Sequence, residues 1–502
     1  MKKSVKGILG LCGVLVVLGG GLAALKLTED PDRNSSSESE SSEVKGAGVS
    51  LIADKSGGSG TISSVKVKNK NGDLDVIIKT PKTEDSAATY TLKGYEDIPL
   101  NTSIVGTLPN NVNGLVSNSI VAENCSDTSK YGFDSPQAEV ELTYESGQKF
   151  SFKVGDTTPT GTDAYFMLSG DDTVYTVSAS KMANFSNELF GFVSRTIVEK
   201  PVDDEMPIVE SLRIERDDID YDIFLEYDKK SSDVSYTGGT SASHVMMEPV
   251  FSYLNPTNST DVVTGMFGLS ADSVYCVHAS EADIAQTGLS KPFCKTTMKC
   301  DDGSEYVLLM SEPFTNEDSK KMHYAMLEGG NVIYTVSAET AKCGTVMPVD
   351  ISSKILFGTY VWNIDQLSVK YGDVETEFTI TRKEGIEDKD TYSGSDFNVT
   401  KDGEAFDDER YRLFYSFLVK ASAEEFAFEE ELPEDEPMVS IKFHDSFTDV
   451  EQTVDFYEYS GLTALIAVNG ESRYFCSKSY AETIVENAKR INTGEDYLTT
   501  WK

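Results

Sequence analysis

The feature that most constrains this chain is an internal repetition, in which one pattern of strands occurs three times. Three segments open alike, with alternating apolar and polar residues at 62–67, 209–214 and 364–369, and each is followed by a second alternating segment. Such alternation is typical of strands that have one buried face. The same order of segments in three places predicts three copies of one structural unit.

The second halves of the copies also keep their spacing. From the opening segment to a proline the separations are 74, 83 and 73 residues, and from that proline to a tyrosine they are 39, 42 and 37. The prolines are Pro136, Pro292 and Pro437, and the tyrosines are Tyr175, Tyr334 and Tyr474. After each proline, four alternating segments separated by Gly, Asp and Ser predict a four-stranded antiparallel meander, with a helix beginning at a Ser or Thr cap behind it.

These patterns predict an α+β fold with three tandem repeats, each an antiparallel β-meander with one or two packed helices. The predicted boundaries are 61–200 for unit 1, 208–347 for unit 2 and 361–492 for a degenerate unit 3. The clearest helix lies at 407–423, where aromatic and apolar side chains recur at helical spacing. We expect this stripe to pack in the core; its members are Tyr411, Phe414, Tyr415 and Leu418.

The N-terminal segment predicts a membrane anchor. Residues 7–25 form an uncharged, mostly apolar run behind Lys2, Lys3 and Lys6. About 20 helical residues cross a hydrocarbon core of roughly 30 Å, and basic flanks stay in the cytoplasm. We therefore expect residues 1–28 to be a cytoplasmic stub and single-pass anchor in the cell membrane, with the bulk extracellular. Two alternatives stay open, namely cleavage after Ala23 and lipidation at Cys12.

The segment that follows, residues 29–60, is rich in Ser, Glu and Gly. Such a composition cannot bury apolar surface, so we expect a flexible linker.

The charge balance and the absence of catalytic motifs exclude several classes of protein. Acidic residues outnumber basic ones 83 to 44, giving a net charge of −39, and such a surface repels nucleic-acid phosphates. The sequence has no P-loop, dinucleotide fingerprint, HExxH or CxxC motif, and its four histidines are scattered. We therefore expect no nucleic-acid partner, no cofactor, no metal site and no catalytic residues.

The cysteines are concentrated in unit 2, which contains Cys276, Cys294, Cys300 and Cys343. Outside the cytoplasm these four are candidate disulfide cysteines. Cys294 and Cys300 lie six positions apart on one predicted strand, about 20 Å, and cannot bond to each other. Pairing of Cys276 with Cys343 or with Cys300 is compatible with the sequence. The competing interpretation is that several of the four are small buried hydrophobic residues.

Short motifs in units 1 and 2 indicate a family. Unit 1 has a Gly-hydrophobic-x-x-Pro opening, a Val-Gly-Asp after the second meander strand and a Val-Tyr-x-Val strand, whereas unit 2 has Met-Ser-Glu in place of the Gly-Asp. The motif residues are Gly132, Pro136, Gly155 and Tyr175 in unit 1 and Gly288, Pro292 and Tyr334 in unit 2. With these motifs the chain resembles the bacterial family called domain of unknown function 4340. The resemblance implies structural roles for these residues and a membrane-anchored protein often encoded beside ABC-type transport systems of the gliding-motility kind.

Together these features predict a non-enzymatic, membrane-anchored extracytoplasmic protein that is an accessory or scaffold component of a cell-envelope complex. The expected partners are the membrane and envelope proteins, including components of an ABC transporter. One alternative is a cell-wall or small-ligand binding module, although the two tryptophans, Trp362 and Trp501, are far apart and predict no aromatic platform. A further alternative is an envelope hydrolase with a site between repeats.

Overall fold

Three antiparallel β-sheets of eight, ten and nine strands form most of the structure, and few helices accompany them. The computed structural model describes residues 45–501 apart from 56–59, 203–204, 230–241, 354–355, 358, 387–391, 421–422 and 429. The sheets lie within residues 62–178, 209–337 and 364–477, so the predicted three-repeat organisation fits three sheets.

The anchor predicted at 7–25 and most of the linker predicted at 29–60 lie outside the described residues. Within the part of the chain that the structure describes, no helix has the length and apolar character needed to cross a membrane.

The first sheet has the strand order β3-β2-β1-β5-β6-β7-β8-β4. Its strands are β1 (Ile62–Asn69), β2 (Gly72–Thr80), β3 (Thr89–Leu92), β4 (Ser119–Ala122), β5 (Ala138–Tyr144), β6 (Lys149–Thr157), β7 (Asp163–Leu168) and β8 (Val174–Ser178). Helix α1 (Thr102–Val112) connects β3 to β4, and the short α2 (Ala179–Met182) follows β8.

The second sheet has the order β12-β11-β10-β9-β14-β15-β17-β18-β13, with β16 paired to β17. Its strands are β9 (Val209–Arg216), β10 (Ile223–Tyr227), β11 (His244–Glu248), β12 (Ser252–Tyr253), β13 (Ser273–Val277), β14 (Cys294–Cys300), β15 (Glu305–Met310), β16 (Phe314–Thr315), β17 (Lys321–Leu327) and β18 (Val332–Ser337). Its helices are α3 (Pro256–Val263), α4 (Glu281–Gln286) and α5 (Pro348–Ile351).

The third sheet has the order β22-β21-β20-β19-β24-β25-β26-β27-β23. Its strands are β19 (Ile364–Tyr371), β20 (Val374–Arg382), β21 (Phe397–Lys401), β22 (Glu404–Phe406), β23 (Glu425–Phe426), β24 (Val439–Asp445), β25 (Val450–Glu458), β26 (Thr463–Val468) and β27 (Glu471–Ser477). Its helices are α6 (Asp408–Leu418) and α7 (Lys478–Thr493).

Equivalent strands occupy equivalent places in the three sheets. The opening strand pairs with the first meander strand, as β1 does with β5, β9 with β14 and β19 with β24. The strand that precedes each meander crosses to the far edge and pairs with the last meander strand. The predicted meander is therefore present as part of a larger sheet, because the opening strands add to its first edge.

Helix α6 shows how the sequence determines local structure in unit 3. Asp407 caps its N-terminus, where the carboxylate accepts hydrogen bonds from the backbone N–H groups of Glu409 and Arg410 at 2.8 and 3.2 Å. The predicted apolar stripe is buried against the sheet, together with Phe417. This confirms that the helical aromatic spacing reflects core packing.

The segments that join the units are themselves packed into cores. The backbone N–H of Ile197 donates to Leu269 at 2.8 Å, and that of Gly268 donates to Val198 at 2.9 Å. Val193, Ile197 and Val198 are buried members of the core of unit 2. The connection between units 1 and 2 is therefore a structural element.

Units 2 and 3 are joined by side chains. Phe426 on β23 packs against the cores of both units. The Arg473 guanidinium donates to the carbonyl oxygen of Phe251 at 2.6 Å, and the rings of Tyr221 and Phe428 meet edge to face at 5.3 Å. Phe426 and Phe428 lie in the most acidic run of the chain, residues 424–436. Their contacts attach this part of the run to the junction between units 2 and 3.

Candidate functional site

A pocket of about 330 Å³ lies beside α6 in unit 3. Its lining combines Trp362, just before β19, with Ile380 on β20, Phe397 and Val399 on β21, and Tyr411 on α6. The antiparallel pairing of β20 with β21 places Ile380 opposite Val399, which forms an apolar wall. Helix α6 closes the other side, so Trp362 and Arg412, 50 positions apart in sequence, line one concave surface.

Two aromatic side chains of the pocket are held by neighbours. The Trp362 ring stacks on Tyr360 with centroids 4.4 Å apart and planes 14° apart. Tyr392 accepts a hydrogen bond from Arg382 at 2.9 Å, and the guanidinium lies 5.3 Å from the centre of its ring. Tyr392 also meets Phe397 edge to face at 5.5 Å. These contacts fix the orientation of the rings before any ligand arrives.

The hydroxyl of Tyr411 is buried without a hydrogen-bond partner among the described residues. One turn later on the same helix, the buried Tyr415 donates its hydroxyl to the backbone carbonyl of Thr359. Burial raises the pKa of both phenols, so both remain protonated at neutral pH. The Tyr411 hydroxyl is therefore an unpaired donor inside the wall of the pocket, out of contact with solvent.

Charged side chains also line the pocket. Asp408 and Arg412, one turn apart on α6, form an ion pair at 3.3 Å, and their side chains are 40% and 42% exposed. They offer an acceptor and a planar donor beside the aromatic wall. Such an arrangement is suited to binding a small ring-shaped molecule with polar edges.

Sequence reasoning missed this site, since it predicted no aromatic platform around Trp362. The lining comes from three separate stretches at 361–362, 380–399 and 408–412. A signal existed in the aromatic residues Tyr360, Trp362, Tyr392 and Phe397, which flank the paired strands of one predicted unit. Only the strand register shows that they converge.

The four candidate disulfide cysteines fall on two faces of the second sheet. Cys294, Cys300 and Cys343 are buried in the main core, whereas Cys276 packs in a smaller cluster with Leu289 and other apolar residues. Cys294 and Cys300 are the two ends of β14. The pair that the structure brings together is Cys294 and Cys343.

Cys294 and Cys343 are in direct contact in the core of unit 2. The Cys294 thiol donates a hydrogen bond to the backbone carbonyl oxygen of Cys343 at 3.7 Å. The interaction with Cys343 and burial raise the pKa of the Cys294 thiol well above its ordinary value. The four cysteines are free thiols in the structure.

Two of the histidines are buried in unit 2. His323 is buried, with Nδ1 2.7 Å from the Ser311 carbonyl oxygen and Nε2 unpartnered among the described residues. His244 is buried on β11, where its Nε2 donates to Val209 at 2.7 Å. Within the described ranges no group of three or more His, Cys, Asp or Glu side chains converges as a metal site would require.

The motif residues occupy turns and strands. Gly132 has φ 83°, and an added Cβ would meet the Asp156 carboxylate; a Cβ on Gly155 would collide with the carbonyl oxygen of Tyr131. Tyr175 is buried on β8 and donates its hydroxyl to Asp171 at 3.0 Å. In unit 2, Gly288 has φ 78° and Tyr334 is buried on β18.

The motif prolines share one position. Pro136, Pro292 and Pro437 each lie two residues before the first meander strand of their unit. Proline fixes φ and donates no backbone hydrogen bond, which suits the residue that leads into a strand.

Comparison with known proteins identifies one family. Residues 91–231 match the family model described as Domain of unknown function (DUF4340). No curated protein and no solved structure matches the chain. The matched stretch contains Gly132, Pro136, Gly155 and Tyr175, and it extends through the opening hairpin of the second sheet. Residues 91–231 of the chain are therefore similar to the DUF4340 family.

Proposed function

We propose that this chain is a non-enzymatic, membrane-anchored extracytoplasmic protein that acts as an accessory or scaffold component of a cell-envelope complex, such as an ABC-type transport system. The observation that carries the proposal is the packing between the three units, whose connecting segments and side chains enter neighbouring cores. Such a body presents a long, preorganised surface to other proteins.

The N-terminal sequence supports the membrane part of the proposal. The basic residues and the apolar run at 7–25 are typical of a single-pass anchor with an extracytoplasmic bulk. The family resemblance supports the transport context, because proteins similar to this one are often encoded beside ABC-type systems.

Exposed apolar side chains indicate where partners would bind. Val202, Leu413 and Leu462 are 64%, 55% and 85% exposed. Val202 lies in the connection between units 1 and 2, Leu413 on α6 and Leu462 in the turn between β25 and β26. We choose these three positions as candidate contact points.

Site-specific photo-crosslinking in native membranes tests the proposal. A photoreactive amino acid at Val202, Leu413 or Leu462 should capture a permease or ATPase component at defined positions, whereas the same group at the exposed, polar Asn71 should not. Equal capture from all four positions, or capture of polysaccharide alone, would contradict the scaffold assignment. A reporter fused after Leu27 tests orientation, and cytoplasmic activity of that reporter would refute it.

A further inference from the structure

We propose that residues 404–407, the unit 3 edge, bind an extended segment of a partner protein. The partner segment would carry one large apolar residue with basic residues beside it, and it would pair with the unit 3 edge as the connecting segments pair with units 1 and 2. This inference deepens the proposed scaffold role, on which it rests, because it names a surface that holds a partner.

The connection between units 1 and 2 shows how such a segment binds. The backbone N–H of Asn101 donates to the carbonyl oxygen of Phe192 at 2.8 Å, and the N–H of Ser194 donates to that of Pro99 at 2.7 Å. The connecting segment thereby lies antiparallel to residues 99–101, which directly precede α1. The Phe192 side chain is buried in the core of unit 1.

The connection between units 2 and 3 repeats this arrangement. The N–H of Asn255 donates to the carbonyl oxygen of Ile351 at 2.8 Å, and the N–H of Ser353 donates to that of Tyr253 at 2.8 Å, again in an antiparallel pairing. The Ile351 side chain is buried in the core of unit 2. Both connecting segments therefore place a large apolar residue two positions before a serine and pair through two main-chain hydrogen bonds.

The unit 3 edge has the same backbone conformation and lacks such a segment. Asp407 caps α6 as Asn101 caps α1 and Asn255 caps α3, with φ of −67°, −72° and −76°. The N–H of Asp407 has no hydrogen-bond acceptor among the described residues, and both Ala405 and Asp407 are exposed. The donor that Asn101 and Asn255 use to hold a connecting segment is therefore available in unit 3.

The turn before the unit 3 edge decides which backbone groups point outward. Asp402 and Gly403 have φ of 50° and 85°, and β21 pairs with β22 across them. In a two-residue turn of this kind the flanking residues form a hydrogen-bonded pair, so the next residue, Ala405, directs its N–H and C=O away from β21. The Ala405 carbonyl is the counterpart of the Pro99 and Tyr253 carbonyls, which accept hydrogen bonds from the connecting segments.

The residues after α7 lie elsewhere. The Arg410 guanidinium donates to the carbonyl oxygens of Gly494 and Glu495 at 3.2 and 2.9 Å. The chain then runs along α6 to its C-terminal end, where Trp501 meets Phe417 edge to face at 5.9 Å. The unit 3 edge is therefore uncovered by the part of the chain that the structure describes.

The charges beside the unit 3 edge favour a basic partner segment. Glu404 and Glu409 are exposed and form no ion pair among the described residues, and the whole chain has a net charge of −39. Lys or Arg beside the apolar residue of a partner segment would be attracted, whereas acidic residues there would be repelled. The first connecting segment has this character, because Arg195 directly follows Ser194.

The test uses the full chain in detergent and a fluorescein-labelled peptide of residues 189–195 followed by two lysines. Fluorescence anisotropy measures binding, and hydrogen exchange of the Asp407 amide reports where the peptide binds. We expect a dissociation constant of about 0.1–1 mM and slower exchange of the Asp407 amide in the bound state. A peptide with two glutamates in place of the lysines should bind about three- to tenfold more weakly at low salt.

Two methylated peptides separate main-chain pairing from non-specific apolar binding. N-methylation at Ser194 removes the N–H that would donate to the Ala405 carbonyl, so it should weaken binding about tenfold. N-methylation at Val193 is the matched control, because that N–H donates to Phe190 within the connecting segment itself. The control should keep its affinity within about twofold.

Equal affinities of the two methylated peptides, no binding at about 1 mM, or exchange protection that excludes Asp407 would overturn the proposal. Self-association of the chain that the peptide blocks would assign the unit 3 edge to a second copy and would also overturn it. If photo-crosslinking captures an envelope partner but the peptide does not bind, the scaffold role stands and the proposal for the unit 3 edge fails.

Discussion

Cys294 and Cys343 should form a disulfide when the chain folds under oxidising conditions. They are 49 residues apart in sequence, and the Cys294 thiol already hydrogen-bonds to the backbone carbonyl of Cys343 in the core of unit 2. The reaction is an exchange with oxidised glutathione, in which two protein thiols give one disulfide and two molecules of reduced glutathione. Both thiols are buried in the folded state, out of reach of glutathione. We therefore expect oxidation during folding and very slow oxidation afterwards.

The size of the effect follows from the loop that the bond would close. In the chain-entropy description, linking residues 49 positions apart restricts the unfolded state by about 4 kcal/mol at 25 °C. Strain in the folded state would subtract from this value, so about 4 kcal/mol is the largest stabilisation that we expect the disulfide to give unit 2. Mutation of either cysteine to alanine should remove the difference between oxidised and reduced protein.

The assay is refolding with and without oxidised glutathione, followed by thiol counting, peptide mapping and urea unfolding. Unfolding of unit 2 is followed by pulse proteolysis with fragment identification. Tryptophan fluorescence does not suit this measurement, because both tryptophans lie outside unit 2. Cys300→Ala is the matched control, because Cys300 is buried on the same strand as Cys294 without contacting Cys343. If the oxidised protein contains a Cys276 bond, or if Cys300→Ala abolishes the stabilisation, the argument from proximity is wrong.

Three further predictions concern stability. Tyr415→Phe removes a buried hydrogen bond and should lower the free energy of unfolding of unit 3 by about 1 kcal/mol. The measurement is tryptophan fluorescence in urea, because both tryptophans report on that unit. An unchanged free energy of unfolding would contradict the assigned bond. Gly155→Ala places a Cβ against the Tyr131 carbonyl and should lower the free energy of unfolding by about 1–3 kcal/mol, measured by calorimetry. Gly106→Ala is the control, because its Cβ would make only an ordinary contact within α1 and should not lower the stability of the protein. Burial lowers the pKa of His244, so the unfolded chain binds its proton first as the pH falls below about 6.5. Unit 2 should therefore lose stability from about pH 6.5 down to the lowered folded pKa, and His244→Gln should reduce that loss in urea midpoints; an unchanged pH profile would refute the assignment.

Strand periodicity predicted the repeats well, because alternation is a local property. The opening segments at 62–67, 209–214 and 364–369 all lie in strands, and the spacing of Tyr411 and Tyr415 predicted α6. The helix predicted after each meander, beginning at a Ser or Thr cap, differs in length between the units. It has 16 residues in unit 3 and four in unit 1, and in unit 3 the Ser477 hydroxyl makes no capping hydrogen bond.

Properties that depend on pairing between distant segments could not be predicted in the same way. Periodicity does not state which strand is a neighbour, so the attachment of β1 to β5 and the edge position of β4 were not predicted. The same limit applies to the contact of Cys294 with Cys343 and to the pocket around Trp362, both of which depend on register. The missing hydrogen-bond partner of the Tyr411 hydroxyl is also a property of the packed structure that no sequence pattern encodes.

The packed connection between units 1 and 2 has a consequence for how the protein can be divided and how it folds. A fragment that begins at Val209, the first residue of β9, would lack Val193, Ile197 and Val198 and would leave part of its own interior open to water. During synthesis these residues leave the ribosome before the strands that they cover. The core of unit 2 is therefore completed by residues that are synthesised before its own strands. The units repeat one pattern, but unit 2 depends on the preceding segment to fold completely.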